Sequence, residues 1–283
     1  MALRIFNNLA SYNAQRLLGQ NNDRLGRVFA RISSGIRIQK NSDDAASMAT
    51  SNALRSDART LRQGVRNLND GVSMLNVADG AIAEQTSIIS RMRELAMQAA
   101  TGTIGSTERQ TVNLEFRAIK NELDRIAKTT EFNGLKILNG ALSSSASEKI
   151  VLQLGINSNE INRINLNRDV NITPVTAEGL KLNLLTIADK NSASTVVQTI
   201  KKTTETLNDL RARLGATQNR LTRAINTQLS AVENLTAAGS TMKDADMASE
   251  FAHLTKEQIL VQSSSAMIGQ ANLFPQGVIQ LLP

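Results

Sequence analysis

The chain has 283 residues but only six Phe, one Tyr and no Trp, so aromatics are 2% of it; an ordinary globular chain of this length fills its core with rings. Zero Cys excludes disulfides, thiolate catalysis and Cys-ligated zinc or iron–sulfur centres, and a single His, His253, excludes any one-chain site that needs two imidazoles. The net charge is +7, with 41% hydrophobic and 20% charged residues, a balance that excludes wholesale disorder. The three Pro are Pro174, Pro275 and Pro283, so no rigid helix breaker precedes residue 174.

In chain order, residues 1–42 read as an N-terminal helix whose stripe is Leu18, Leu25 and Ile32 with Val28, interrupted by polar residues. Residues 43–140 hold the strongest signal. Leu54, Leu61, Leu68, Leu75, Ile82, Ile89 and Ala96 recur every seven residues, with Ala58, Val65 and Val72, then Met92, Leu95 and Ala99, as a second stripe. That pattern predicts a coiled-coil helix from about 43 to about 100, roughly 85 Å long at 1.5 Å per residue. Ser42, Asp43 and Asp44 supply its start and Gly102 and Gly105 its stop. Val112, Phe116, Ile119, Leu123 and Ile126 then predict a second helix, from Ser106 to about Lys128, that folds back on the first.

In 141–185 the period changes to two. Ile150, Leu152, Leu154 and Ile156, then Ile164, Leu166, Val170 and Ile172, then Leu180, Leu182 and Leu184 predict a small antiparallel β element turning at Asn157–Asn159. Residues 186–240 return to heptads, with Ile200, Leu207, Leu214, Leu221 and Leu235 and one polar entry, Gln228. Residues 241–283 carry Met247, Phe251, Leu254, Val261 and Ile268. The predicted fold is therefore mainly α, an elongated antiparallel helical bundle or coiled coil with a small antiparallel β element. Neither end has a core of its own, so each must bury its stripe against the other or against another molecule. The ends are expected to be disordered in a free chain and to fold on association.

Charge is unevenly placed. Residues 1–40 set Arg4, Arg16, Arg24, Arg27, Arg31, Arg37 and Lys40 against Asp23 alone; residues 241–283 set Lys243 and Lys256 against Asp244, Asp246, Glu250 and Glu257. Three readings follow: a solvated face, attraction between the two ends or between neighbouring chains, and nucleic-acid binding. The last lacks aromatic interleaving and any nucleic-acid motif. No secretory signal peptide is expected, because Asn7, Asn8, Ser11 and Asn13 break the apolar run after Arg4, and no stretch is long enough to span a membrane. Those rules alone place the chain in the cytoplasm, although absence of Cys is equally compatible with export by a route that uses no such peptide.

Several motifs together resemble bacterial flagellin. Ile32-Ser33-Ser34-Gly35-Ile36-Arg37-Ile38 followed by Asp43-Asp44-Ala45-Ala46 matches the family's N-terminal signature, and Arg91-Met92-Arg93-Glu94-Leu95-Ala96-Met97-Gln98 its next block. Glu131 to Leu138 is similar to its Phe-Asn-Gly motif; Asp244 to Ala248, Gln270-Ala271-Asn272 and Pro275 to Leu282 are similar to its C-terminal blocks. Ser47 stands where the family often has Gly, and the chain ends in Pro283 rather than a basic or small residue. The middle is too short for large outer domains, so the likeness is to a minimal flagellin.

The resemblance implies a structural subunit of the flagellar filament, exported by the flagellar type III apparatus and located outside the cell, or in the periplasm of a spirochaete. Its implied partners are itself, sibling flagellins, an export chaperone, the filament cap and the hook–filament junction proteins, with no nucleic acid and no membrane insertion. It implies no catalysis, no cofactor and no metal. Leu18, Leu25, Ile32, Phe251, Leu254, Val261 and Ile268 are the expected assembly interface; Leu54, Leu61, Leu68, Leu75, Ile82, Ile89, Leu207, Leu214 and Leu221 are the expected rod core. Arg91, Leu95 and Glu115 match the face that an animal Toll-like receptor recognises on flagellins, or equally inter-helix or inter-subunit ion pairs of Arg91 and Glu115 with Leu95 packing. His253 and the Asp43–Asp44 pair read as a surface residue and a helix cap rather than a pH sensor or metal site. The nearest rivals are the hook–filament junction protein, a related rod of the same appendage, and a nucleic-acid-binding coiled coil.

Overall fold

A computed structural model of the chain describes residues 8–279, with side chains through Leu273. The chain divides into two compact units: residues 57–234, and residues 1–56 together with 235–283. The fold is mainly α, with long antiparallel helices and two small antiparallel sheets.

Residues 57–234 draw their core from three helices. Helix α2 (Ala45–Ala100) contributes Leu68, Leu75, Ile82, Ile89, Met92 and Leu95; α3 (Ser106–Thr129) contributes Phe116 and Leu123; α5 (Lys190–Lys243) contributes Ile200, Leu207, Leu214 and Leu221. Each of these side chains is at most 1% exposed. The seven-residue repeat is the cause: a stripe at that spacing stays on one helix face, and packing it against two other stripes removes it from water. Leu54 and Leu61 are only half-buried. Surface pairs flank the seam, with Arg211 Nε 2.9 Å from Asp79 Oδ1 and Gln218 Nε2 3.0 Å from Asn76 Oδ1.

The β element is smaller than the alternation predicts. Strand β1 (Glu131–Phe132) pairs with β2 (Leu135–Lys136) across Asn133 and Gly134, whose positive φ of 50° and 79° fits a tight hairpin turn. Strand β3 (Val151–Gln153) pairs antiparallel with β4 (Arg163–Asn165), Leu152 facing Ile164. Beyond β4 the alternation does not make strands. Residues Leu166–Asp169 form one helical turn, α4, because the Asn165 side chain accepts from the Arg168 N–H and closes it. The run Leu180–Leu184 spends its backbone hydrogen bonds locally, Leu180 N–H on Thr176 and Leu182 N–H on Ala177, so no ladder remains to be made. Buried Asn167 ties the layer together: its Oδ1 accepts from Ile150 N, and its Nδ2 donates to the carbonyls of Ala141 and Ser143.

The β3–β4 hairpin is clasped on α2 and α5 at three points. Leu152 lies over Gly71, the Leu154 carbonyl lies over Gly64, and at either position an added methyl would overlap it. Asn67 Nδ2 donates to the Gln153 carbonyl at 3.1 Å, and Gln228 Nε2 to the Leu154 carbonyl at 2.7 Å. The one polar entry in the α5 heptads is therefore one of two side-chain donors that fix the hairpin. Truncating Leu75 to Ala should cost about 2–5 kcal/mol, the range for a large aliphatic side chain lost from a packed core, while Leu114→Ala, at a site 65% exposed, should unfold like the parent in chemical denaturation.

Candidate functional site

No group of three His, Cys, Asp or Glu that could hold a metal occurs among the described residues, and no described helix is long and apolar enough to cross a membrane. Asp43 and Asp44 are taken up by backbone. Asp43 Oδ2 accepts from the N–H groups of Lys40 and Gln39, and Asp44 Oδ1 from the Ser47 N–H at the start of α2. Those hydrogen bonds, Lys40 first for Asp43 and the Ser47 hydroxyl first for Asp44, hold both carboxyls below the ordinary carboxylate range. His253 is exposed.

The chemistry lies instead in exposed helix faces. Helix α1 (Leu9–Ser34) pairs antiparallel with α6 (Met247–Ile279), so these stretches of the two ends, expected to be disordered before association, are helical in the single chain, while 1–7 and 280–283 lie outside the described residues. Polar groups bridge the pair. Asn8 Nδ2 donates to the Ala271 carbonyl at 2.7 Å, Ser11 Oγ to Asn272 Oδ1 at 2.8 Å and Asn21 Nδ2 to Ser264 Oγ at 2.8 Å; Arg31 lies 3.6 Å from Glu250. At the open end Gly35, at φ 69°, turns the chain, and Arg37 N–H donates to the Lys243 carbonyl while Ala245 N–H donates to Gly35.

The structure places Leu18, Leu25, Ile32, Leu254, Val261 and Ile268 half-buried along this pair, whereas Phe251 is 52% exposed. The fully buried positions are different ones: Ser11, Asn21 and Val28 on α1, Glu250 and Glu257 on α6. Of these only Val28 belongs to the apolar stripe; the other four are polar and lie outside it. The signal was present in the spacing, since Glu250, Glu257, Ser264 and Ala271 recur every seven residues alongside Leu254, Val261 and Ile268. One carboxylate oxygen of Glu250 and one of Glu257 are buried with no donor. Meanwhile Tyr12, Phe29, Ile259, Met267 and Leu273 are all more than half exposed.

In the other unit, Arg91 bridges two carboxylates: Nη1 reaches Glu94 at 2.9 Å and Nη2 reaches Glu115 at 2.8 Å, which together raise its pKa, Glu115 contributing most. Arg91 and Glu115 are exposed. Leu95 is 1% exposed, so it is not part of their surface: its heptad position turns it into the core between α2 and α3.

Comparison with known proteins decides what these faces belong to. Residues 5–143 match the bacterial flagellin N-terminal helical region, and residues 197–282 the bacterial flagellin C-terminal helical region. The chain is 38% identical to the flagellar filament 30.7 kDa core protein of Treponema maltophilum, over 98% of this chain and 99% of that one. It is 36% identical to the flagellin of Bacillus subtilis, over 99% and 100%. The chain belongs to the flagellin family. A solved Vibrio parahaemolyticus protein described as hook-associated shares the fold, with a TM-score of 0.59 at 12% identity over 71% of this chain and all of that one. As a flagellin the chain is a structural subunit that polymerises into the flagellar filament, and it is not an enzyme. The Asp43 and Asp44 contacts of this flagellin contribute stability above the unfolded carboxyl pKa, about 3.9, and that contribution is lost as pH falls through the lowered folded values. Replacing Asp44 by Ala should accordingly flatten the acid limb of its stability curve, measured by thermal unfolding between about pH 2 and 6.

Proposed function

We propose that the filament forms through the unit built by α1 and α6, with other copies covering the apolar side chains that the single chain leaves in water. The observation that carries this reading is the exposure of Tyr12, Phe29, Phe251, Ile259, Met267 and Leu273 on two helices that already face each other. Burial of such residues yields about 25 cal/mol per Å², and the half-buried Leu18, Leu25, Ile32, Leu254, Val261 and Ile268 extend the same surface. The basic α1 segment and the acidic α6 segment favour contact between opposite ends of neighbouring copies.

In this reading residues 1–42 and 241–283 form the inner core. Residues 43–140 and 186–240 form the surrounding rod layer, carrying the small β element of 141–185. Leu54 to Ile89 and Leu207 to Leu221 hold that layer together. The chain is exported by the flagellar type III apparatus, delivered by a chaperone, and added beneath the cap beyond the hook–filament junction proteins. The absence of Cys keeps it free of cross-links during passage. The filament lies outside the cell. Sibling flagellins join it through the same faces. On free monomers the exposed pair Arg91 and Glu115 meets a Toll-like receptor, with Leu95 acting beneath as support.

Deleting 263–283 should abolish seeded filament growth while leaving residues 57–234 folded by circular dichroism; filaments of ordinary length from that deletion would end the assembly reading. Antibody labelling of intact cells separates an outside filament from a periplasmic one, which labels only after permeabilisation. In a receptor reporter assay Arg91→Ala should lower monomer potency about tenfold, the loss of one hot-spot contact, and an inactive parent protein would remove the receptor from the partners.

A further inference from the structure

The β3–β4 turn carries the most exposed large aliphatic residue among the described residues, Ile161, at 95%. The turn is firmly held. Leu154 N–H and Gly155 N–H both donate to the Asn162 carbonyl, Asn162 N–H donates to Asn159, Gln153 Nε2 donates to the Asn157 carbonyl, and Arg163 Nε donates to Gln153 Oε1. An isoleucine is thus presented to solvent on a tip whose conformation is already fixed, and a fixed tip loses little entropy on docking.

The same unit carries an open apolar groove of about 510 Å³ between α2 and the β1–β2 hairpin, lined by Gly71, Met74, Phe132, Leu135, Ile150 and Leu152. Asp70 lies on its rim and has no ion-pair partner among the described residues. A second hollow of about 460 Å³ shares Leu135 and Ile150 and is lined also by Glu148 and Lys149. The chain's own tip runs the wrong way to fill the groove. Leu152 sits over Gly71 and Leu154 over Gly64, so the hairpin travels along α2 away from the groove and carries Ile161 to the remote end.

We propose that Ile161 of one copy inserts into the Met74–Phe132–Leu135 groove of a second copy. Charge complementarity selects this occupant: Arg163, two residues after Ile161, matches Asp70 on the rim of the groove. Leu184, the other strongly exposed aliphatic at 88%, has no charged neighbour within two residues. Tip and groove are different patches of one chain, so in a polymer the contact runs head-to-tail and repeats along an open helical array. It sets the register between rod layers, while the α1–α6 faces supply most of the association energy.

The inference rests on polymerisation of the chain, and the test separates the two. The parent lacks Cys, so full-length Ile161→Cys and Leu135→Cys proteins are mixed, grown on filament seeds and treated with a short-spacer bis-maleimide. The expected result is a cross-linked dimer in filaments, absent in unpolymerised mixtures and absent when either variant is used alone. Ile161→Asp should slow seeded elongation about tenfold, and Asp70→Arg combined with Arg163→Asp should recover more of the rate than either single change. Filaments that grow normally with Ile161→Asp and yield no dimer overturn the tip-in-groove contact and leave polymerisation intact. Dimers formed equally in monomer solution overturn it too. Failure of the parent to extend seeds overturns both.

Discussion

The seven-residue leucine seam of α2 is the constraint on which residues 57–234 depend. With 2% aromatic residues, the unit has few rings to organise it, and its core must come mostly from many aliphatic contacts of similar size. Leu68, Leu75, Ile82 and Ile89 supply these on one helix face, and α3 and α5 find their places by covering that face. Phe116 on α3 is the one aromatic side chain fully buried there. Because each aliphatic contact is individually modest, the unit is held by repetition rather than by any single anchor.

The same helix also decides where the β layer can sit. Gly64 and Gly71 are seven residues apart, in step with the leucines, and open two notches into which the β3 strand settles. Gln228 reaches across from α5 to the Leu154 carbonyl at the first notch. Regular spacing thus serves two ends: large residues at one phase make the core, and absent side chains at another admit a strand. The short β1–β2 hairpin and the Leu142–Val170 layer, pinned by Asn167, complete the cover.

The helices were legible in the sequence because a heptad repeats its message many times; Ala45–Ala100 and Ser106–Thr129 lie within two residues of the spans read from periodicity and caps. Strands were less legible. Alternation in 164–172 reports which side chains are buried, Ile164, Leu166, Val170 and Ile172 among them, and in 180–184 it holds for Leu180 and Leu182 but not for Leu184; burial at period two does not by itself supply a partner ladder. Leu95 shows a related limit: residue identity within a motif says nothing about which way the side chain faces, and its heptad phase settles that it points inward. The buried polar positions Asn21, Glu250 and Glu257 were hidden by a search for apolar stripes alone.

Those polar positions have a consequence for the filament's growth curve. A seam that buries Ser11, Asn21, Glu250 and Glu257 beside its aliphatic positions removes less apolar surface from water than a leucine seam would, so the α1–α6 pair is a latch with a shallow well. A subunit closed by such a latch opens at small cost and recloses on whatever surface offers more apolar contact. Where a filament end presents the apolar surface proposed above, addition to that end gains more burial than pairing of two loose subunits.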